Sequence, residues 1–345
     1  MIQFRPEGIY CSQADVYIDP WKPVEKAIIT HAHGDHARSG NQHYLCHPLS
    51  KEILRLRLGL DIDVQTLEYG EVVSINGVQI SLHPAGHILG SAQVRLEYKG
   101  EVWVISGDYK LLNDGVSTPF EPLKCHHFIT ESTFGLPVYD FHPFDEIYTA
   151  INTWWQQNTN EGFQSIIIGY ALGKAQNILH HLDPAIGKIF LHGAVANIND
   201  AFHLSGLNFQ GERVMPAATG KASWKGAAIV APMSVLGSPW LRKFHPYRIA
   251  VCSGWMALRG ARRRYGVDQG FVLSDHADFK QLNAAVLGTG AENIYVTHGY
   301  QSIYSKWLRE AYALNAIEIK TLFDPAAGES TVEGSPDEHI VEDEP

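Results

Sequence analysis

The sequence predicts an α/β fold in which one α/β domain is inserted into another. Three observations carry this. Short β-like runs keep ending in an acid or a histidine, both early and late in the chain. The middle instead alternates helix-like and strand-like segments. The acid- and histidine-bearing ends lie on both sides of that middle, so they share one site only if the middle is an insertion.

In chain order the early runs are "VYID" ending at Asp19, "AIIT" leading into His31, "VWVISGD" ending at Asp108 and "FITE" ending at Glu131. The late ones are "FVLSDH" ending at His276 and "IYVTH" ending at His298. Runs of β-branched and aromatic residues bounded by Gly, Asp or His read as buried strands. Groups at their ends sit on loops held by a rigid sheet, where sites are built. His87 lies between the strands "VQISL" and "AQVRLEY". In the middle, helical spacing over 144–158 is followed by a strand at 165–169 and a helix at 174–182, with further strands at 188–191, 227–231 and 247–252. That alternation predicts a parallel, Rossmann-like sheet with covering helices.

At 345 residues the chain has ample core for two domains or one large one. No apolar stretch approaches the ~20 residues of a membrane span, and "MIQFRPEGIY" lacks a secretory layout. Cys11, Cys46, Cys125 and Cys252 are scattered, with no C-x-x-C pair. They suit small buried hydrophobes in a reducing cytoplasm. The net charge of −10 speaks at first against a nucleic-acid partner. It is unevenly spread, however. Gly328 to Pro345 holds seven acids and no Lys or Arg, leaving 27 basic against 30 acidic residues before it. That tail has little to bury and is expected to be disordered. Arg259, Arg262, Arg263 and Arg264 crowd six positions just ahead of the His276 motif. A solvated face is the ordinary reading of such a run; its place in the chain argues for facing phosphates.

"THAHGDH" puts His31, His33, Asp35 and His36 within six positions. A lone histidine at a strand end is usually a satisfied polar residue, but this cluster with His87 and Asp108 calls for metal. His31, His33 and His87 supply three imidazoles, a zinc set that leaves a position open. Asp35, His36 and His298 could hold a second ion, and Asp108 has two carboxylate oxygens to share between the two. Two cations about 3.5–4 Å apart can activate a bridging water and stabilise both oxygens of a phosphodiester displacement. Asp19, one strand earlier, suits orienting a ligand histidine. The other twelve histidines, among them His43, His47, His83, His126, His127, His180, His181 and His192, have no such context and read as structural or surface residues.

Together "THAHGDH", "AGHILGSAQV", "SGDY", "ESTFG", "SDHADF" and "THG" resemble the β-CASP branch of the metallo-β-lactamase superfamily, nucleases acting on DNA or RNA. The resemblance covers about residues 1–325. It implies an αββα sandwich from 1–136 and 265–327, an inserted β-CASP domain over 137–264, and the acidic tail from 328 to 345. It assigns His31, His33, Asp35, His36, His87, Asp108 and His298 as ligands of two divalent metals, zinc foremost and manganese as an alternative. Asp35 and Asp108 also count among the catalytic groups, and Glu131 with His276 forms the acid-and-histidine pair beside the metals. In that role His276, held by Glu131, protonates the leaving oxygen. Lys174, at the "YALGKAQ" turn, and the four arginines would bind backbone phosphates, although Lys174 could simply start a helix. The segment from Gly8 to Arg38 is most similar to the bacterial ligase-associated DNA exonucleases, which implies DNA repair beside an ATP-dependent ligase and a helicase. Histidine at 298, rather than valine, is shared with RNA 3′-end-processing enzymes and leaves RNA open. Two other classes compete: a small-molecule metallohydrolase, which lacks the insert and its His276/Glu131 pair, and a non-catalytic nucleic-acid-binding subunit, which would have lost ligands.

Overall fold

The computed structural model describes residues 1–215 and 224–319. Its backbone divides into two compact units, one made of Met1–Asp140 with the chain from Asp275 on, the other of Phe141–Ser274. The acidic stretch 328–345 and the expected domain end at 327 lie outside the described residues.

The first unit opens with a sheet laid down in sequence order: β1 (Ile2–Arg5), β2 (Gly8–Cys11), β3 (Val16–Ile18), β4 (Lys26–Ile28), β5 (His43–Cys46) and β6 (Asp63–Thr66), with α1 (Pro48–Leu58) joining the last two. β1 to β3 are antiparallel and β3 to β6 parallel. Next come β7 (Val72–Ile75), β8 (Val78–Pro84), β9 (Ala92–Tyr98) and β10 (Glu101–Ile105), an antiparallel meander, then β11 (His127–Thr130) parallel to β10. In β8 the alternation of Val78, Ile80 and Leu82 with Gln79, Ser81 and His83 sends one face inward. Those three residues, with Val94 and Leu96, pack against Ile9, Ile18 and Ile28 of the first sheet. Each such side chain contributes about 1.5–3 kcal/mol by leaving water. β10 is apolar on both faces because both are covered: Trp103 and Ile105 join that core, while Val102 and Val104 join another on the far side.

The second unit has the alternation expected of it: α2 (Phe144–Asn160), β12 (Gln164–Ile168), α3 (Lys174–His181), β13 (Ile189–Leu191), α4 (Gly193–Leu204), β14 (Glu212–Arg213), β15 (Ala228–Ala231), β16 (Tyr247–Cys252), α5 (Ala261–Tyr265) and β17 (Gln269–Phe271). The sheet is wholly parallel, in the order β14-β13-β15-β12-β16-β17. Its strands read as continuous apolar runs because Ile166, Ile168, Ile229, Ala231 and Val251 are buried in its core. One expectation needs correcting. "FVLSDH" is not a strand ending at His276; the strand stops at Phe271 and belongs to this sheet, where Cys252 of β16 faces Phe271 in register. The units accordingly part at 274/275, beyond the expected 264/265, and at 140/141 rather than 136/137.

The returning chain adds α6 (Phe279–Thr289), β18 (Asn293–Val296), α7 (Gln301–Tyr312) and β19 (Asn315–Glu318). β18 slots in parallel to β11, completing a seven-stranded sheet, β19-β18-β11-β10-β9-β8-β7. Leu282, Val286, Tyr304 and Leu308 of the two helices cover Val104, Phe128, Ile294 and Val296. Register then positions the site: Ile105, Ile129 and Tyr295 lie side by side, so the chain leaves three neighbouring strands toward Asp108, Glu131 and His298. In the other sheet Ile18 pairs with Ile28, which sets Asp19 beside the segment leading to Thr30 and His31. All four cysteines are buried and none forms a disulfide; burial pushes the thiols of Cys46 and Cys252 up to about 12 and that of Cys125 to about 11. Among the described residues no helix is long and apolar enough to cross a membrane.

Candidate metal centre

The nine histidines and acids singled out at the strand ends and the His87 loop, from His31 to His298, meet in the first unit. His31, His33, His87 and Asp108 bring ligand atoms within 4.8 Å of one another, and so do His36, Asp108 and His298. Asp108 is the common member. Its Oδ2 lies 3.4 Å from His36 Nε2, 3.6 Å from His31 Nε2 and 3.9 Å from His87 Nε2. His87 Nε2 is 3.1 Å from His33 Nδ1. Asp35 Oδ2 stands 3.7 Å from His36 Nε2 and 4.0 Å from His298 Nε2, at the more open side. Asp19 and His298 hold left-handed backbones (φ 43° and 51°), costly for residues with a Cβ and typical of functional positions.

These residues fit a cation. His31 Nε2 and Asp108 Oδ1 are buried with no hydrogen-bond partner among the described residues, the mark of atoms that await a ligand. Burial and the neighbouring His36 and His87 hold His31 well below the ordinary histidine range, and burial with His276 and His33 does the same to His87. Both are therefore neutral imidazoles, as metal ligation requires. Burial would also lower His36, but Asp108, Asp35 and Asp19 outweigh it and raise that ring well above its usual value. Burial opposes ionisation of Asp108, yet His36 and His276 hold it well below the carboxylate range. Without metal, a proton on His36 supplies the positive charge that this nest of acids demands.

Around these residues sits a layer of supporting groups, which the sequence reading found only in part. Asp19 Oδ2 accepts from His36 Nδ1 at 2.7 Å. His87 Nδ1 donates to the backbone carbonyl of Asp275 at 2.8 Å, and Ser91 Oγ accepts from the His87 and Ile88 amides. A Cβ on Gly90 would stand 2.7 Å from Ser50 Oγ, so glycine lets the His87 loop lie against α1. Arg57 of α1 donates at 2.5 Å to the carbonyl of Ala32, between the first two ligands. Thr30, Asp275, Ser91 and Arg57 escaped the sequence reading. Only Thr30 and Asp275 were signalled there, by standing beside ligand-type histidines.

Glu131 is buried, accepts from the Tyr109 amide at 2.8 Å, and faces His276 Nδ1 at 3.0 and 3.2 Å. Burial would lower His276, but Glu131 and Asp108 push it up to about 9. That ring is a protonated acid at neutral pH, with Nε2 on the side away from Glu131. It arrives on the loop before α6, whose N-cap, Asp278, accepts from Gln281 N at 2.8 Å. His276 also falls in two possible ligand groups, with Asp108 and Glu131 and with His87 and Asp275.

Arg259 and the three arginines of α5 belong to the second unit and are exposed. Lys174 begins α3 but is buried, its Nζ 4.5 Å above the Tyr170 ring. It opens the helix with its ammonium over that ring. Of the histidines set aside, His47 and His192 cap α1 and α4, and His83 lies within β8 bonded to Ser81 and Glu121.

No family model matches the chain. It is 29% identical over 306 residues to a protein named probable DNA ligase from Opitutus terrae, a match covering 88% of this chain and 30% of that protein. It is 29% identical over 124 residues to an endoribonuclease, YSH1, of Candida glabrata, and 31% identical over 124 residues to cleavage and polyadenylation specificity factor subunit 3 of Dictyostelium discoideum. Each of these two matches covers 35% of this chain and 16% of the relative. The chain therefore spans under a third of the length of these curated relatives. These similarities are consistent with the motif resemblance to the β-CASP branch of the metallo-β-lactamase superfamily. Among solved structures, a protein of unknown function from Enterococcus faecalis superposes with a TM-score of 0.61 at 10% identity, over 86% of this chain and 79% of that one, a likeness of fold alone.

Proposed function

We propose that this protein is a metal-dependent nuclease that hydrolyses phosphodiester bonds, and that its substrate is DNA, degraded from an end during repair. The observation that carries the hydrolytic reading is the Asp108-centred cluster, in which two ligand groups share one carboxylate beside the Glu131–His276 pair. In this reading the two-sheet unit is the metallo-β-lactamase domain and Phe141–Ser274 the inserted β-CASP domain. Bound there, the metals activate water and neutralise phosphate charge. The chain's own residues do the rest: His31, His33 and His87 hold one ion, Asp35, His36 and His298 the other, and Asp108 lies between. His276, its proton secured by Glu131, delivers that proton to the departing oxygen. The exposed arginines Arg259, Arg262, Arg263 and Arg264 bind backbone phosphates. DNA is favoured over RNA because the relative named for DNA ligation aligns with 88% of the chain, against 35% to 46% for the endoribonucleases. RNA processing is the second reading, and those endoribonucleases are what favours it. A ligase and a helicase as partners rest on the family resemblance alone. The buried, unbridged cysteines suit a reducing cytoplasm. End-labelled single- and double-stranded DNA and RNA, each with and without a 5′-phosphate, decide among these. Cleavage of RNA alone would overturn the DNA assignment, and cleavage of none would overturn the nuclease.

Two expected results follow from the ligands and the charge. Protein purified without chelator should contain close to two metal equivalents, zinc favoured by the imidazoles and manganese by the carboxylates; elemental analysis giving one or less at full activity would exclude a dinuclear site. A chain ended at Ala327 loses seven acids and no Lys or Arg. It should keep its cleavage rate and bind DNA slightly more tightly at low salt. A lower rate in a folded truncation would show that the tail takes part in the reaction.

A further inference from the structure

We infer that Thr30 is a positioning residue, whose hydroxyl carries the Asp19 carboxylate to His31, so that one buried acid steadies a histidine in each ligand group. Asp19 accepts three bonds: from Thr30 N at 2.8 Å, from Thr30 Oγ1 at 2.5 Å and from His36 Nδ1 at 2.7 Å. Thr30 Oγ1 also stands 3.2 Å from His31 Nδ1. A hydroxyl has one proton to give. At 2.5 Å that proton must lie toward the carboxylate, since two bare acceptors would repel at such a distance. Toward His31 the hydroxyl can then only accept, so His31 carries its proton on Nδ1. Its Nε2 lone pair is left facing the centre, 3.6 Å from Asp108 Oδ2. His36 presents Nε2 by the same logic, held directly by the acid. Asp19 thus reaches His36 in one step and His31 in two.

Packing enforces the relay. Thr30 is buried, and a Cβ built on Gly107 would stand 2.6 Å from its Oγ1 and 2.7 Å from its Cβ. Gly107 has φ 57°, in the left-handed region that a side chain resists. The turn that delivers Asp108 therefore closes directly onto Thr30. Glycine at 107 leaves no side chain between that turn and the hydroxyl.

The tautomer part of this inference stands on hydrogen bonding alone; the affinity part rests on the metal-centre reading. Full-length protein labelled with ¹⁵N-histidine and stripped with chelator should show His31 as the Nδ1–H tautomer in long-range ¹H–¹⁵N spectra, with the peak assigned through a His31→Asn variant. Thr30→Val keeps the shape and removes the hydroxyl. In that variant the His31 peak should move toward a mixture of tautomers, and zinc affinity in a chelator competition should fall about 10–100-fold for one equivalent, the usual loss with an outer-layer partner. Thr30→Ser should restore the tautomer and bring zinc affinity within about 3-fold of the wild type. An Nε2–H tautomer in the wild-type spectrum overturns the inference, and decides alone if Thr30→Val does not fold. Wild-type tautomer and zinc affinity in a folded Thr30→Val overturn it equally. Protein that binds no zinc yet shows the Nδ1–H tautomer refutes the metal reading and leaves the relay standing.

Discussion

Asp108→Asn is expected to abolish cleavage, with a loss of about 10³-fold or more, the scale of removing a charge-stabilising group from a reacting centre. The residue is the common neighbour of His31, His36, His87 and His276, all within 3.9 Å of its Oδ2. An amide keeps its size, but offers one weakly basic oxygen where two cations need a shared anion. Metal content should fall toward one equivalent per chain. The fold should persist, because Asp108 follows β10, whose Trp103, Val104 and Ile105 carry the packing. Far-ultraviolet circular dichroism, elemental analysis and initial rates on labelled DNA check the three parts. A folded variant with the wild-type rate and metal content would mean that Asp108 holds nothing between the ions.

His276→Ala should cost about 10²–10⁴-fold in rate, the usual worth of general acid catalysis. Both metals should remain bound. The loss should shrink on a nitrophenyl phosphodiester, whose leaving group needs little protonation. This separates the acid from the ligand, since His276 also lies close enough to Asp108 to hold an ion. Equal losses on both substrates with a missing metal would make it a ligand. Glu131→Gln gives the accompanying pH test. The wild-type ring is raised to about 9, so it is protonated at neutral pH and loses its proton as pH rises through that value. Removing the Glu131 charge takes away the largest influence that raises it. The alkaline fall in rate should therefore move to lower pH, with a milder loss at neutrality than for His276→Ala. An unmoved alkaline limb would assign it to another group.

The strands that lead into the His/Asp cluster were legible because each is a short apolar run closed by a polar residue that the core would not accept. "AQVRLEY" is a strand from its first residue to its last, since period-two alternation leaves it no other use. The parallel middle unit was legible for a different reason: Ile166, Ile167 and Ile168 in succession make sense only in a strand covered on both faces. The reading failed at "FVLSDH". An apolar run before a histidine looks the same whether it belongs to one sheet or to the sheet of its neighbour, and register across strands is absent from sequence. The supporting layer was largely invisible too. Arg57 acts from a helix 25 residues beyond the carbonyl it binds, and Asp275 through a backbone oxygen that every residue has.

The bond from His87 Nδ1 to the carbonyl of Asp275 spans 188 positions of sequence, and that span has a consequence for the order of events at birth. When a ribosome has made the first eleven strands, the seven-stranded sheet lacks β18 and β19, and His298 and His276 do not yet exist. The intervening unit takes on the order of ten seconds to synthesise at ordinary elongation rates. Throughout that interval the nascent chain holds His31, His33, His36, His87 and Asp108 without the carbonyl that His87 Nδ1 bonds and without His276 and His298. The entropic cost of closing so long a loop grows only slowly with length, but the span makes the cluster a late, non-local product of folding. The cluster is therefore complete only after the chain has returned, and a product released early holds only part of it.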